Sequence, residues 1–135
     1  MTDDPAAIFR GVIPYINVDG ASEASAFYQR AFAAKELQRM PAEDGKRLMH
    51  CHLEINGGSL MLSDCFPEHG SELQPSHSYT MTLVVSDADA WCERAVKAGA
   101  EVTMPVQRMF WGDRYGQLKD PFGVRWALNE PAQNP

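Results

Sequence analysis

Long apolar runs are missing from this 135-residue chain. No stretch approaches the ~20 residues that cross a bilayer, so no membrane partner is expected. Clusters of lysine or arginine are missing too, and the formal net charge is −6. A nucleic-acid protein needs a basic face to displace counterions from phosphates, so nucleic acid is excluded as a partner. Cysteine is sparse: Cys51, Cys65 and Cys92 are an odd number without CxxC or zinc-type spacing. Reduced thiols in a cytoplasmic protein are therefore expected, not a disulfide framework. The start, Met1-Thr2-Asp3-Asp4-Pro5, is acidic and lacks the positive flank of a secretory signal. The remaining composition is ordinary for a soluble domain, 44% hydrophobic and 22% charged. A chain of this length can bury a core of its own.

A diverged internal repeat is the most informative feature present. Val18-Asp19 with Phe27-Tyr28-Gln29-Arg30-Ala31 is answered, 64 to 67 positions later, by Val85-Ser86 with Trp91 and Arg94-Ala95. Asn56-Gly57 before Leu60-Met61-Leu62 is answered by Phe122-Gly123 before Trp126-Ala127-Leu128. Each half reads strand, helix, then three strands. The fold expected is α+β: two βαβββ modules forming a curved mixed sheet around a cavity, helices on the outer face. Residues 1–135 then make one domain, with modules at about 9–64 and 79–129 and a linker at about 65–78.

In the first half, residues 9–18 alternate Val12, Ile16 and Val18 against Tyr15 and Asn17, a strand signal that Pro14 weakens. Residues 21–33 place Ala24, Phe27, Tyr28, Ala31 and Phe32 on one helical stripe, with Asp19-Gly20 as turn and cap. Residues 35–42 and 47–55 form a hairpin about Glu43-Asp44-Gly45, and 59–63 return as a strand. In the second half, 79–86 is a strand, and Ser86 with Asp89 reads as a capping box. The following helix ends at Gly99. Strands are expected at 100–104, 106–112, 114–119 and 124–129. Six of the seven methionines, at 40, 49, 61, 81, 104 and 109, read as adaptable core filling.

Ile13-Pro14-Tyr15 with Ala26-Phe27-Tyr28, and His50 with Leu62-Ser63-Asp64, resemble the vicinal oxygen chelate superfamily. So does the run from Phe110-Trp111-Gly112-Asp113-Arg114-Tyr115-Gly116 into Asp120-Pro121-Phe122-Gly123-Val124-Arg125-Trp126. That superfamily holds glyoxalase I, bleomycin-resistance proteins and extradiol dioxygenases, and the pattern is most similar to its PhnB-like subgroup. The resemblance covers residues 9–129 and implies a homodimer. In metal-dependent members the first and last strand of each half supply one ligand apiece. Those positions fall here at Ile13, Met61, Thr80 and Ala127, or after a short slip at Tyr15, Ser63, Thr82 or Arg125. None is histidine, glutamate or aspartate, so no metal and no other cofactor is expected.

The residues expected to bind a ligand are Tyr15, His50, His52, Asp64, Trp111, Asp113, Arg114, Tyr115 and Arg125. His50 and His52 are two apart on a strand and share a face. Trp111 to Tyr115 combine a stacking surface with both charge signs and a phenol, between Gly112 and Gly116, which read as hairpin-turn residues. Arg125 has the planar fork that matches a carboxylate or phosphate. Asp64 reads either as a site carboxylate or as an acceptor of turn amides. No catalytic residue is assigned. The function expected is metal-independent small-molecule binding. The alternative is a lyase or dioxygenase-type enzyme with a non-standard metal on His50, His52 and His77, with His69 nearby and Asp64 or Asp113 as base. A third reading is a structural module with a filled cavity.

Overall fold

The computed structural model describes residues 7–75 and 77–132. The chain divides into two compact units, one built of residues up to 74 without 30–32, the other of residues 30–32 and those from 75 on.

The first unit holds β1 (Tyr15–Val18), α1 (Ala21–Phe32) except its last three residues, β2 (Lys35–Pro41), β3 (Leu48–Ile55) and β4 (Gly58–Asp64). Its four strands lie in the order β1-β4-β3-β2, with β1 parallel to β4 and the other pairs antiparallel. Period-two alternation separates two faces. Ile16, Val18, Cys51, Leu53, Leu60 and Leu62 are buried on the face that meets α1, whose Ala24, Phe27, Tyr28 and Ala31 are buried in turn. The opposite face carries Tyr15, Asn17, His50, His52, Met61 and Ser63.

β1 is shorter than the alternation predicts. Gly11 takes φ 69° and residues 9–14 stay outside the sheet, although the Pro14 carbonyl still accepts from Met61 N–H at 3.0 Å. Nor does Asp19 cap α1. The N-cap is Gly20, at φ 100°, where no side chain caps the helix locally. Asp64 does the work from the end of β4: its Oδ1 accepts from Gly20 N–H at 2.8 Å and Ala21 N–H at 3.0 Å. Its Oδ2 accepts from Leu48 N–H at 2.8 Å. One carboxylate thus ties the helix start to β3 and β4.

The second unit holds β5 (Met81–Val84), α2 (Ala88–Ala98), β6 (Glu101–Arg108), β7 (Arg114–Lys119) and β8 (Arg125–Glu130), with strand order β5-β8-β7-β6. β5 runs parallel to β8 and the rest are antiparallel. The repeat extends to capping. Glu130, 66 positions after Asp64, ends β8 and accepts from Ala88 N–H at 2.9 Å. The residue capping α2 locally is Asp87, not the Ser86–Asp89 pair, and its carboxylate accepts from Ala90 N–H at 3.1 Å. Gly99 ends the helix as expected, donating to the Ala95 and Val96 carbonyls.

Residues 100–104 and 106–112 are not two strands. They form the single β6, whose register shifts between Val102 and Met104 and again between Met104 and Gln107. After β7, Asp120 closes the turn into β8. It accepts from Phe122 N–H, Val124 N–H and the Trp126 indole at 2.8–3.0 Å. The methionines are not core filling, because none of them is among the buried described residues and Met40 and Met49 are exposed. Branched, aromatic and alanine side chains, with Cys51, fill the core instead. Among the described residues no helix is long and apolar enough to cross a membrane.

Candidate functional site

In the first unit the face opposite α1 is polar and ordered by pairs. Tyr15 faces Met61 in register, and Met61 faces His52. The Tyr15 hydroxyl lies 3.2 Å from His50 Nδ1 and the two rings are 5.7 Å apart. Asn17 Nδ2 donates to Ser63 Oγ at 2.9 Å, and Ser63 Oγ donates to the Asp64 carbonyl. Beyond, His52 Nε2 sits 2.9 Å from Ser59 Oγ, which donates to the Ile8 carbonyl at 2.9 Å. A serine has one hydroxyl proton, so His52 Nε2 carries the hydrogen of its bond to Ser59. Phe9 tilts over the imidazole with ring centroids 6.1 Å apart. The outer histidine is accessible and the inner one is sealed.

Burial first, and then the nearby His50, hold the His52 pKa below its ordinary value. A base whose folded pKa is depressed stabilises the fold above its unfolded pKa, and that stability is lost as pH falls. The urea midpoint is therefore expected to decrease as pH drops below ~6.5. His52→Gln keeps a donor toward Ser59 and is expected to lessen the decrease, measured as the midpoint difference between neutral and mildly acidic buffer. An unchanged difference would mean that His52 does not carry it.

At one end of the sheet an open cleft of about 730 Å³ lies between Glu43, Arg47, Met49, Ser63, Phe66 and His69. Arg47 organises it. Its guanidinium bonds Asp44 at 2.6 Å, Glu68 at 2.6 Å and the Cys65 carbonyl at 3.2 Å, and it stacks 4.3 Å above the Phe66 ring. The segment after β4 is thereby pinned to the β2–β3 turn and contains a short helical turn at Pro67–His69.

In the second unit the predicted cluster at 111–115 separates. Arg114 lies on the α2 face, where it forks onto Asp89 with both bonds at 3.1 Å. Tyr115 is on the opposite face, because strand neighbours alternate. Asp113 is held by Asn129 Nδ2 at 3.0 Å and Ala132 N–H at 2.8 Å, and the backbone bond first keeps its pKa low. Gly112 makes the turn at φ 102°, whereas Gly116 lies within β7 and not in a turn. Phe110, Trp111 and Tyr115 form an edge-to-face series with centroids 4.8 and 5.9 Å apart. Phe110 is 96% exposed and Trp111 49%. Below them, on the same sheet face as Tyr115, lie Gln117, Lys119, Arg125, Ala127 and Asn129. Gln117 Nε2 donates to the Tyr115 hydroxyl at 3.0 Å. Sequence reasoning passes over Gln117 and Asn129, although their two-residue spacing from Tyr115 and Ala127 is the signal that places them there.

The inherited metal positions can now be read from register. The strand partner of Met61 is Tyr15, and that of Ala127 is Thr82, two residues beyond Ile13 and Thr80. Neither the phenol and thioether of the first unit nor the threonine hydroxyl and methyl group of the second offers a divalent cation a histidine or carboxylate ligand. Among the described residues no three histidine, cysteine, aspartate or glutamate side chains gather to hold a metal. His50, His52, His69 and His77 are not brought together as such a group among the described residues. His69 and His77 are exposed.

The chain was compared with known proteins. Residues 10–128 match the model of the Glyoxalase/Bleomycin resistance protein/Dioxygenase superfamily. An uncharacterized protein of Mycobacterium bovis is 43% identical over 126 residues, covering 89% of this chain and 82% of the relative. Protein YjdN of Escherichia coli is 28% identical, covering 90% and 96%. Among solved structures, protein PA1353 of Pseudomonas aeruginosa superposes with a TM-score of 0.70 at 27% identity, covering 92% and 99% of the two chains. The PhnB protein of Bacillus cereus gives 0.69 at 20% identity, covering 90% and 100%, a likeness of fold. The βαβββ arrangement of both units and the family match across nearly the whole length agree, and the chain belongs to the Glyoxalase/Bleomycin resistance protein/Dioxygenase superfamily.

Proposed function

We propose that this chain is a small-molecule binding protein that holds its ligand without a metal, in the cytoplasm and as a homodimer. The observation that carries the reading is the pair of exposed rings Phe110 and Trp111, continued by the half-buried Tyr115, beside a polar sheet face. Adjoining apolar rings left in solvent mark a binding surface more often than a solvated one. The hydrogen-bonding groups below them supply the few placed polar contacts of a ligand site. Tyr15 and His50 in the first unit are a second candidate contact of the same kind.

The test is tryptophan fluorescence of chelator-treated protein titrated with a panel of planar aromatic ligands. Quenching is expected in the wild type, and Trp111→Ala is expected to weaken binding about 10-fold, the scale of one lost aromatic contact. Trp91 and Trp126 remain as internal reporters of folding. If no ligand alters the emission, or if binding appears only on adding a divalent metal, the proposal fails. Sedimentation of the same sample decides the homodimer.

A further inference from the structure

The face below Tyr115 carries a charge arrangement that the fold alone does not account for. Arg125 on β8 stands directly opposite Lys119 on β7. Like charges in that position repel and destabilise a sheet. Arg125 is half-buried, its Nε is fully buried, and no hydrogen-bond partner reaches that atom among the described residues. A guanidinium N–H taken out of water without an acceptor is costly.

The neighbouring acids do not resolve this. Asp120 is committed to two backbone amides and the Trp126 indole. Glu101 faces Lys119 from β6, on the side away from Arg125. The ion pairs of the described residues engage Arg39, Arg47 and Arg114, not Arg125. Gln117 is the diagonal neighbour of Arg125 and lies within reach of a group bound there. Among the described residues no carboxylate is thus paired with Arg125, although the chain as a whole is acidic.

We infer that the ligand of this face carries an oxyanion, which Arg125 receives with Lys119 opposite and Gln117 beside it. The inference rests on the small-molecule reading above and narrows it to an anionic compound with a planar apolar body. The planar fork of arginine matches two oxygens of a carboxylate, sulfonate or phosphoryl group. Such an anion, received by the terminal guanidinium nitrogens, would screen the two cations from each other.

Two probes test it without knowledge of the natural ligand. 8-Anilinonaphthalene-1-sulfonate and N-phenyl-1-naphthylamine share a body and differ in the sulfonate. The wild type is expected to bind the sulfonate about 10-fold more tightly or better, the worth of a charge-assisted contact. Arg125→Met is expected to abolish that preference while leaving the neutral probe unaffected, and Arg125→Lys to retain part of it. Near-UV circular dichroism checks that each variant is folded. Equal affinity for both probes in the wild type, or a preference that survives Arg125→Met, would overturn the oxyanion inference alone. Failure of both probes to bind would overturn it together with the small-molecule reading. The comparison within the wild type stands even if Arg125→Met does not fold.

Discussion

Asp64→Ala is expected to destabilise the protein by about 4 kcal/mol, since it strips acceptors from three buried or half-buried backbone N–H groups at once. Gly20 and Ala21 then start α1 without a cap, and Leu48 N–H loses its partner at the first residue of β3. Glycine at the N-cap makes the loss complete, for no local side chain stands in. Asp64→Asn should fall between wild type and alanine. One amide oxygen still accepts from two donors, but the NH₂ group is set against the third N–H. The symmetric change Glu130→Ala removes a bond to one amide only, and α2 keeps its Asp87 cap. It should cost about 1 kcal/mol. Urea unfolding of the three variants orders them, and a mild Asp64→Ala would show that the carboxylate is not the clamp described.

Gly116→Ala is the second large effect, expected at about 3 kcal/mol. A Cβ there would lie 2.7 Å from Val106 Cγ2, 2.9 Å from Val106 N and 3.0 Å from the Met104 carbonyl. The β6 register shift between Met104 and Gln107 lays Val106 directly on the glycine. Rotating a side chain relieves only the first contact. The other two are backbone, so β6 itself must move. The double variant Val106→Ala/Gly116→Ala should recover little of the loss, read as the coupling in a thermal-unfolding cycle. Full recovery would place the strain in the valine methyl alone.

Both effects were hidden in the sequence for related reasons. Asp64 is one of two aspartates that follow a strand-like run within its half, and nothing local says which carboxylate meets the start of α1. The meeting depends on β4 returning parallel to β1, a contact across 44 residues. Gly116 reads as a turn glycine because Gly112 and Asp113 precede it closely. Its role depends on a bulge in another strand. Arg114 was separated from Trp111 and Tyr115 for the simplest reason, that alternation sends strand neighbours to opposite faces. The same alternation puts His50 and His52 on one face.

What the amino-acid sequence determined by itself was everything carried by short periods. The stripe of Ala24, Phe27, Tyr28 and Ala31 sets α1, and Gly99 sets the end of α2. The shared face of His50 and His52 belongs here too. These follow from side-chain spacings of two to four residues, which hold wherever the segment packs. Tertiary structure alone decided where each polar group was spent. Asp64, Asp113 and Asp120 look alike as candidate site acids until register brings backbone amides to each of them. Arg125 looks like any strand arginine until the same register leaves its Nε buried without an acceptor. A buried hydrogen bond is a long-range pairing of two groups, and neither sequence neighbourhood contains its partner.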